Sequence, residues 1–112
     1  MAGNGIERRQ SIRLEVPCPW VMRDPQGQMV AKGRSINVGN GGMFLPMRVE
    51  SLLPAQTPVT ISFAVPRSTP NTYMLEDFSA QARILRHQPL VNESMAGVAV
   101  QFAKPINLGL EV

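Results

Sequence analysis

Three guanidinium groups lie close together near the start of the chain, on Arg8, Arg9 and Arg13. Arginine presents a planar fork of donors that suits phosphate and the edge of guanine. Two of them at four-residue spacing, Arg9 and Arg13, could grip two groups of one ligand. The plainer account is a solvated basic arm at a domain start. Further on, Ser35-Ile36-Asn37-Val38-Gly39-Asn40-Gly41-Gly42-Met43-Phe44 holds three of the nine glycines within four positions. Glycine reaches φ > 0 without steric cost, so Gly39, Gly41 and Gly42 are expected to turn the backbone sharply. Successive N–H groups in such a turn can form a concave anion site. Asn37 stands at its mouth with a side chain that both donates and accepts. The plainer account here is a connection between two strands that needs glycine for its turn.

The elements that must position these residues read as short strands. From Ile12 the chain alternates: Ile12, Leu14, Val16, Cys18, Trp20 and Met22 fall on one face, Arg9 and Arg13 on the other. Pro17 and Pro19 share a parity, which fits an edge or corner strand. Asp24-Pro25-Gln26-Gly27 is a turn signal, so strands one and two form a hairpin. Strand two is expected from about Gln28 to Val38, and a short third from Gly42 to Met47, stopped near Pro46. Val59, Ile61, Phe63 and Val65 alternate in a fourth. Pro66 to Asp77 reads as a polar loop. A fifth strand spans Phe78 to His87, and Pro89 to Ser94 turns into a sixth, Ala96 to Phe102. After Pro105 there is room for at most a short helical turn. The expectation is an all-β fold, a small six-stranded antiparallel barrel closed on itself. Its parts are a mobile tail over 1–5, the barrel over 6–104 and a short tail over 105–112.

Composition excludes several classes. The chain has 112 residues, 44% hydrophobic and 17% charged, which is globular and about one domain in size. A net charge of +3 is too small to argue for duplex nucleic acid. A single cysteine, Cys18, permits no internal disulfide and no cysteine-rich metal site. The first ten residues carry Glu7, Arg8 and Arg9 and no apolar run, so no signal peptide is expected. No apolar stretch approaches the ~20 residues of a membrane helix. A soluble, cytoplasmic protein that does not engage membrane is the expectation.

Other residues have plain readings. His87 is a lone histidine at a strand end, surface or structural. Cys18, Trp20, Met22, Met43 and Met95 suit a core. Arg83 and Arg86 lie on strand five, and Arg86 could stack on a guanine face. No carboxylate pair, Ser/His/Asp set or metal-ligand spacing is present, so neither catalysis nor a cofactor is expected.

Arg9-x-x-x-Arg13 at the head of a β-barrel resembles the RxxxR motif of PilZ domains. Asn37-x-Gly39-x-x-Gly42 resembles their second motif, (D/N)xSxxG, and Gly97-Val98-Ala99-Val100-Gln101-Phe102 is similar to their last barrel strand. The resemblance spans about Glu7 to Lys104. It implies a six-stranded barrel that binds the bacterial second messenger cyclic di-GMP. It further implies that Arg9 and Arg13 hold phosphates and guanine, while Asn37, Gly39 and Gly42 hold a guanine from the other side. An extra arginine before the motif, here Arg8, is associated in the family with a stacked, intercalated ligand dimer. Signalling would follow from ordering of a flexible arm, Met1 to Ser11, which then shows a changed surface to a partner protein.

The sequence departs from the family pattern at Gly39, where the motif has serine. One neutral hydrogen bond is lost, on the order of 1 kcal/mol, which weakens a site about five- to tenfold. The alternative is a degenerate PilZ-like barrel that binds no nucleotide and acts by protein contact. A single-stranded nucleic-acid binder ranks third, because Trp20, Tyr73 and the phenylalanines mostly read as buried.

Overall fold

The computed structural model describes residues 13–90 and 94–110. Arg8, Arg9 and the rest of the arm over 1–12 lie outside the described residues. The fold is one antiparallel sheet of eight strands: β1 (Arg13–Leu14), β2 (Pro19–Arg23), β3 (Met29–Arg34), β4 (Asn37–Gly39), β5 (Gly42–Arg48), β6 (Pro58–Ser68), β7 (Tyr73–Pro89) and β8 (Met95–Phe102). Their order across the sheet is β1-β4-β5-β8-β7-β6-β2-β3. A single 3-10 turn, Val49–Ser51, interrupts the link from β5 to β6.

The all-β antiparallel class agrees with the sequence. A closed six-stranded barrel does not: β1 and β3 end the ladder, and the sheet curls without closing. Strand one is split by Glu15 to Cys18 into β1 and β2, and strand two by Ser35 and Ile36 into β3 and β4. Val16, which alternation placed inside, is 48% exposed within the first split. At the second, β3 comes close to β5 but forms no ladder with it. Phe44 O accepts from Ile36 N, so residues of Phe44's parity turn their polar groups toward that side of β5. Pro46 shares the parity, lies beyond β4 and has no proton to donate. The β2–β3 pairing runs one pair further, to Cys18 and Ser35. Ser35 N donates to Cys18 O at 2.9 Å, and Cys18 N donates to Ser35 Oγ at 3.0 Å.

The expected loop from Pro66 to Asp77 is strand instead. β6 runs through Pro66 to Ser68, and β7 returns from Tyr73 in register, with Pro66 opposite Leu75. The reason is the direction of the missing donor. Ile84 N donates to Thr57 O, so odd-numbered residues of β6 face β7. Pro58 and Pro66 therefore point away from β7. Both lie outside Thr60–Phe63, the stretch that β2 covers. Proline is tolerated where its nitrogen faces no partner. At the tip of this hairpin Tyr73 is 69% exposed.

The core fills the concave side of the curl. Trp20, Met22, Val38, Met43, Leu45, Ile61, Phe63, Ile84, Val98, Val100 and Phe102 are all buried there. Phe63 stacks between Phe78 and Phe102, with ring centroids 5.5 and 5.6 Å away. Cys18 is fully buried, and burial pushes its thiol pKa up, which keeps it a protonated small hydrophobe. The β2–β3 hairpin turns where expected, with Asp24 Oδ1 accepting from Gln26 N and Gln28 N and Gly27 at φ 86°. Residues 105–110, the described part of the C-terminal segment, form no helix, yet Leu108 is fully buried in the core.

Replacing Ser35 by Ala leaves the buried Cys18 N–H without its acceptor. Unfolding in urea should then show a loss of about 1–3 kcal/mol. An unchanged midpoint would show that this contact carries no weight.

Candidate functional site

The pairing register builds the site from distant segments. Arg13 pairs with Gly39, Gly39 with Gly42, Gly42 with Gln101, and Gln101 with Arg83. Two residues along the strands, Asn37 pairs with Phe44, Phe44 with Ala99, and Ala99 with Arg86. Between these rows runs Leu14, Val38, Met43, Val100 and Ile84, which points into the core. Because side chains alternate across a sheet, both outer rows lie on the opposite, convex side.

Arg86 reaches that side through an irregularity. Ile84 pairs with Val100 and Arg86 with Ala99, so Leu85 is an extra residue in β7. Strict alternation would send Arg86 inward with Ile84. The bulge turns it outward, onto the same face as Arg83. Nothing in the sequence marks this bulge.

A groove of about 490 Å³ lies along the two rows. Arg13, Asn37, Gly42, Arg86, Gln88 and Gln101 are among its lining residues. Arg13 spans it at one end. Its Nη1 donates to Asn37 Oδ1 at 3.2 Å and to the Gly42 carbonyl at 3.3 Å. Its Nε and Nη2 meet no acceptor among the described residues, and neither does the exposed Arg86 guanidinium. The structure thus brings Arg13, Asn37, Gly42 and Arg86 together, with Gly39 buried beside them in the ladder.

The glycines act differently from the expectation. Among the described residues the left-handed glycines are Gly27 and Gly109, so Gly39, Gly41 and Gly42 need no positive φ. Gly39 and Gly42 close the β4–β5 hairpin, and the turn is not an open nest of N–H groups. Its carbonyls are engaged instead: Asn40 O accepts from Ile106 N at 2.8 Å and Gly41 O from Phe102 N at 2.9 Å. Gly42 is required for close approach. A Cβ there would run into the Val100 carbonyl oxygen of β8, whereas one on Gly41 meets nothing within 4 Å. Gly97 makes room likewise, for the ring of Phe44.

The sequence did not single out Gln101 as a site residue and placed Arg83 only on strand five. Arg83 Nε and Nη2 donate to Gln101 Oε1 at 3.0 and 2.8 Å, and Nη1 donates to Gln56 Oε1 at 3.0 Å. His87 Nε2 lies 2.6 Å from Leu53 O and ties the loop before β6 to β7. Among the described residues no three His, Cys, Asp or Glu side chains gather as a metal-binding group, and no helix is long and apolar enough to cross a membrane.

A groove with guanidinium groups at both ends and amides between them offers donors to phosphates and to base edges. A family model described as PilZ domain matches residues 7–111. The chain belongs to the PilZ domain family. Among solved structures, the Bacillus subtilis inhibitor of motility (MotI/DgrA) shares the fold with a TM-score of 0.71 at 11% identity. The match covers 89% of this chain and 44% of that one, so the chain spans less than half the length of that protein. No curated protein matches the chain.

Gly42→Ala should lower the melting temperature, with a loss of about 1–3 kcal/mol from forced separation of β5 and β8. Gly41→Ala should melt like the parent. Equal melts for both variants would mean that the close approach at Gly42 is not a constraint.

Proposed function

We propose that this PilZ domain is a non-catalytic receptor for cyclic di-GMP. One observation carries the reading. Arg13, the last residue of the first motif, is hydrogen-bonded to Asn37 and Gly42 of the second, across a groove lined by all three. Two motifs far apart in the chain meet where one ligand can touch both. Arg13 keeps two faces of its guanidinium for phosphate or guanine. Arg86 stands at the other end with no partner among the described residues and suits the face or edge of a second base.

Arg8 and Arg9 complete the arm in this proposal. On binding they close over the ligand's phosphates together with Arg13, and the arm shows a changed surface to a protein partner.

Gly39 does not argue against the reading. Its backbone is not left-handed, so a serine there would not carry the strain of a positive φ. An outward side chain at 39 would stand on the same row as Arg13.

Calorimetric titration with cyclic di-GMP, with GMP as control, tests the proposal. Arg13→Ala should weaken binding at least about tenfold, the scale of a lost charge-assisted contact, with little change in the melt. Binding equal to the parent would remove Arg13 from the site. Gly39→Ser should tighten binding about three- to tenfold, from a hydrogen bond worth ~1 kcal/mol, with an unchanged melt. A parent protein that binds no cyclic di-GMP would favour the protein-contact alternative.

A further inference from the structure

Gln101 occupies the groove beside Gly42, and its side chain is not free to choose its orientation. Arg83 donates to it twice, through Nε at 3.0 Å and Nη2 at 2.8 Å. A guanidinium has donors only, so the atom that faces it must be the amide oxygen. Arg83 is itself held from behind, its Nη1 on Gln56 Oε1 at 3.0 Å. Gln56 has φ 72°, a left-handed conformation unusual for a residue with a side chain. It is fixed there by a 2.7 Å bond from its N–H to Ile84 O, the strand residue next to Arg83. Gln56, Arg83 and Gln101 thus form a chain of fixed side chains that ends at the groove.

This locking changes what Gln101 can read. A rotatable glutamine offers one acceptor and one donor side, and pairs well with adenine, which presents a donor and an acceptor together. With its oxygen occupied by Arg83, Gln101 has only its two N–H donors left for a ligand. Guanine presents two acceptors, O6 and N7, on the edge where adenine has N6–H₂ and N7. A donor-only amide favours the first and leaves the second with two donors facing each other.

We propose that Gln101 is a specificity-determining residue of the groove, with Arg83 its positioning residue, so that the fixed amide selects guanine over adenine. This rests on the receptor reading above and deepens it. Arg83 acts through Gln101 without touching the ligand.

The test titrates the full chain and its Gln101→Leu and Arg83→Met variants with cyclic di-GMP and with cyclic di-AMP, each variant checked by a thermal melt. The parent should prefer the guanine ligand by at least about tenfold, the size of one discriminating base contact. Gln101→Leu should weaken cyclic di-GMP about five- to tenfold and leave cyclic di-AMP where it was. Arg83→Met frees the amide to rotate, so the preference ratio should fall while the variant still binds guanine. A purely structural role for Arg83 would weaken both ligands alike and keep the ratio. If Arg83→Met fails to fold, Gln101→Leu alone decides. A parent-like ratio in folded variants, or a parent that binds both ligands equally, overturns the inference and leaves the receptor reading intact. A parent that binds neither ligand overturns the receptor reading itself, and this inference with it.

Discussion

The contact on which the site depends is the approach of β5 to β8 at Gly42, where the Val100 carbonyl occupies the space that any Cβ would need. That approach allows Met43 to pair with Val100 and Gly42 with Gln101. The register then propagates. Gly42 fixes Gly39, and Gly39 fixes Arg13, while on the other side Gln101 fixes Arg83. A one-residue slip of any strand in this series would turn its groove residue inward and its core residue outward. The polar face and the apolar core are thus two consequences of one backbone contact.

Much of the fold was legible because alternation reports burial directly. Trp20, Met22, Val59, Ile61, Phe63, Val98, Val100 and Phe102 all face the core, as their spacing demanded. What alternation cannot report is which side of a strand lacks a partner. Pro46, Pro58 and Pro66 sit inside strands here because each nitrogen faces a side where the neighbouring strand has ended. Read locally, Pro46 was a stop and Pro66 the start of a loop. Their tolerance depends on the length of β4 and β2, which is a tertiary fact. The splits at Glu15–Cys18 and Ser35–Ile36 have the same origin. They occur where the chain leaves one end of the curled sheet and joins the other.

The candidate groove has two sides that the sequence picked out and a third that it did not. Arg13, Asn37 and Gly42 were found by type and spacing, and the structure joins them. Arg8 and Arg9 lie outside the described residues. Gly42 was chosen for conformational freedom and is needed for lack of a side chain, a reason that only the facing strand supplies. Arg86 is on the groove because Leu85 bulges out of the β7–β8 ladder. Bulges of this kind arise from a mismatch between two strands, and neither strand's sequence shows it alone.

One consequence concerns where a response to ligand can originate. The turn of the second motif is braced from behind by the C-terminal segment. Asn40 accepts from Ile106 N through its carbonyl and from Leu108 N through Oδ1, and the Leu108 side chain is sealed in the core. Arg67, on β6, donates to the Leu108 carbonyl and forms an ion pair with Glu76 across the hairpin. Gly109, at φ 69°, lets the backbone pass beside that guanidinium. A turn held at so many points is a poor candidate for large movement, since each bond lost on moving would leave a polar group unpaired. The opposite wall is held too, by Gln56, Arg83 and Gln101. The groove is therefore preorganised on both long sides, which lowers the cost of binding. In the proposed receptor, the part of the groove left for a conformational signal is therefore the sheet end at β1, where Arg13 stands.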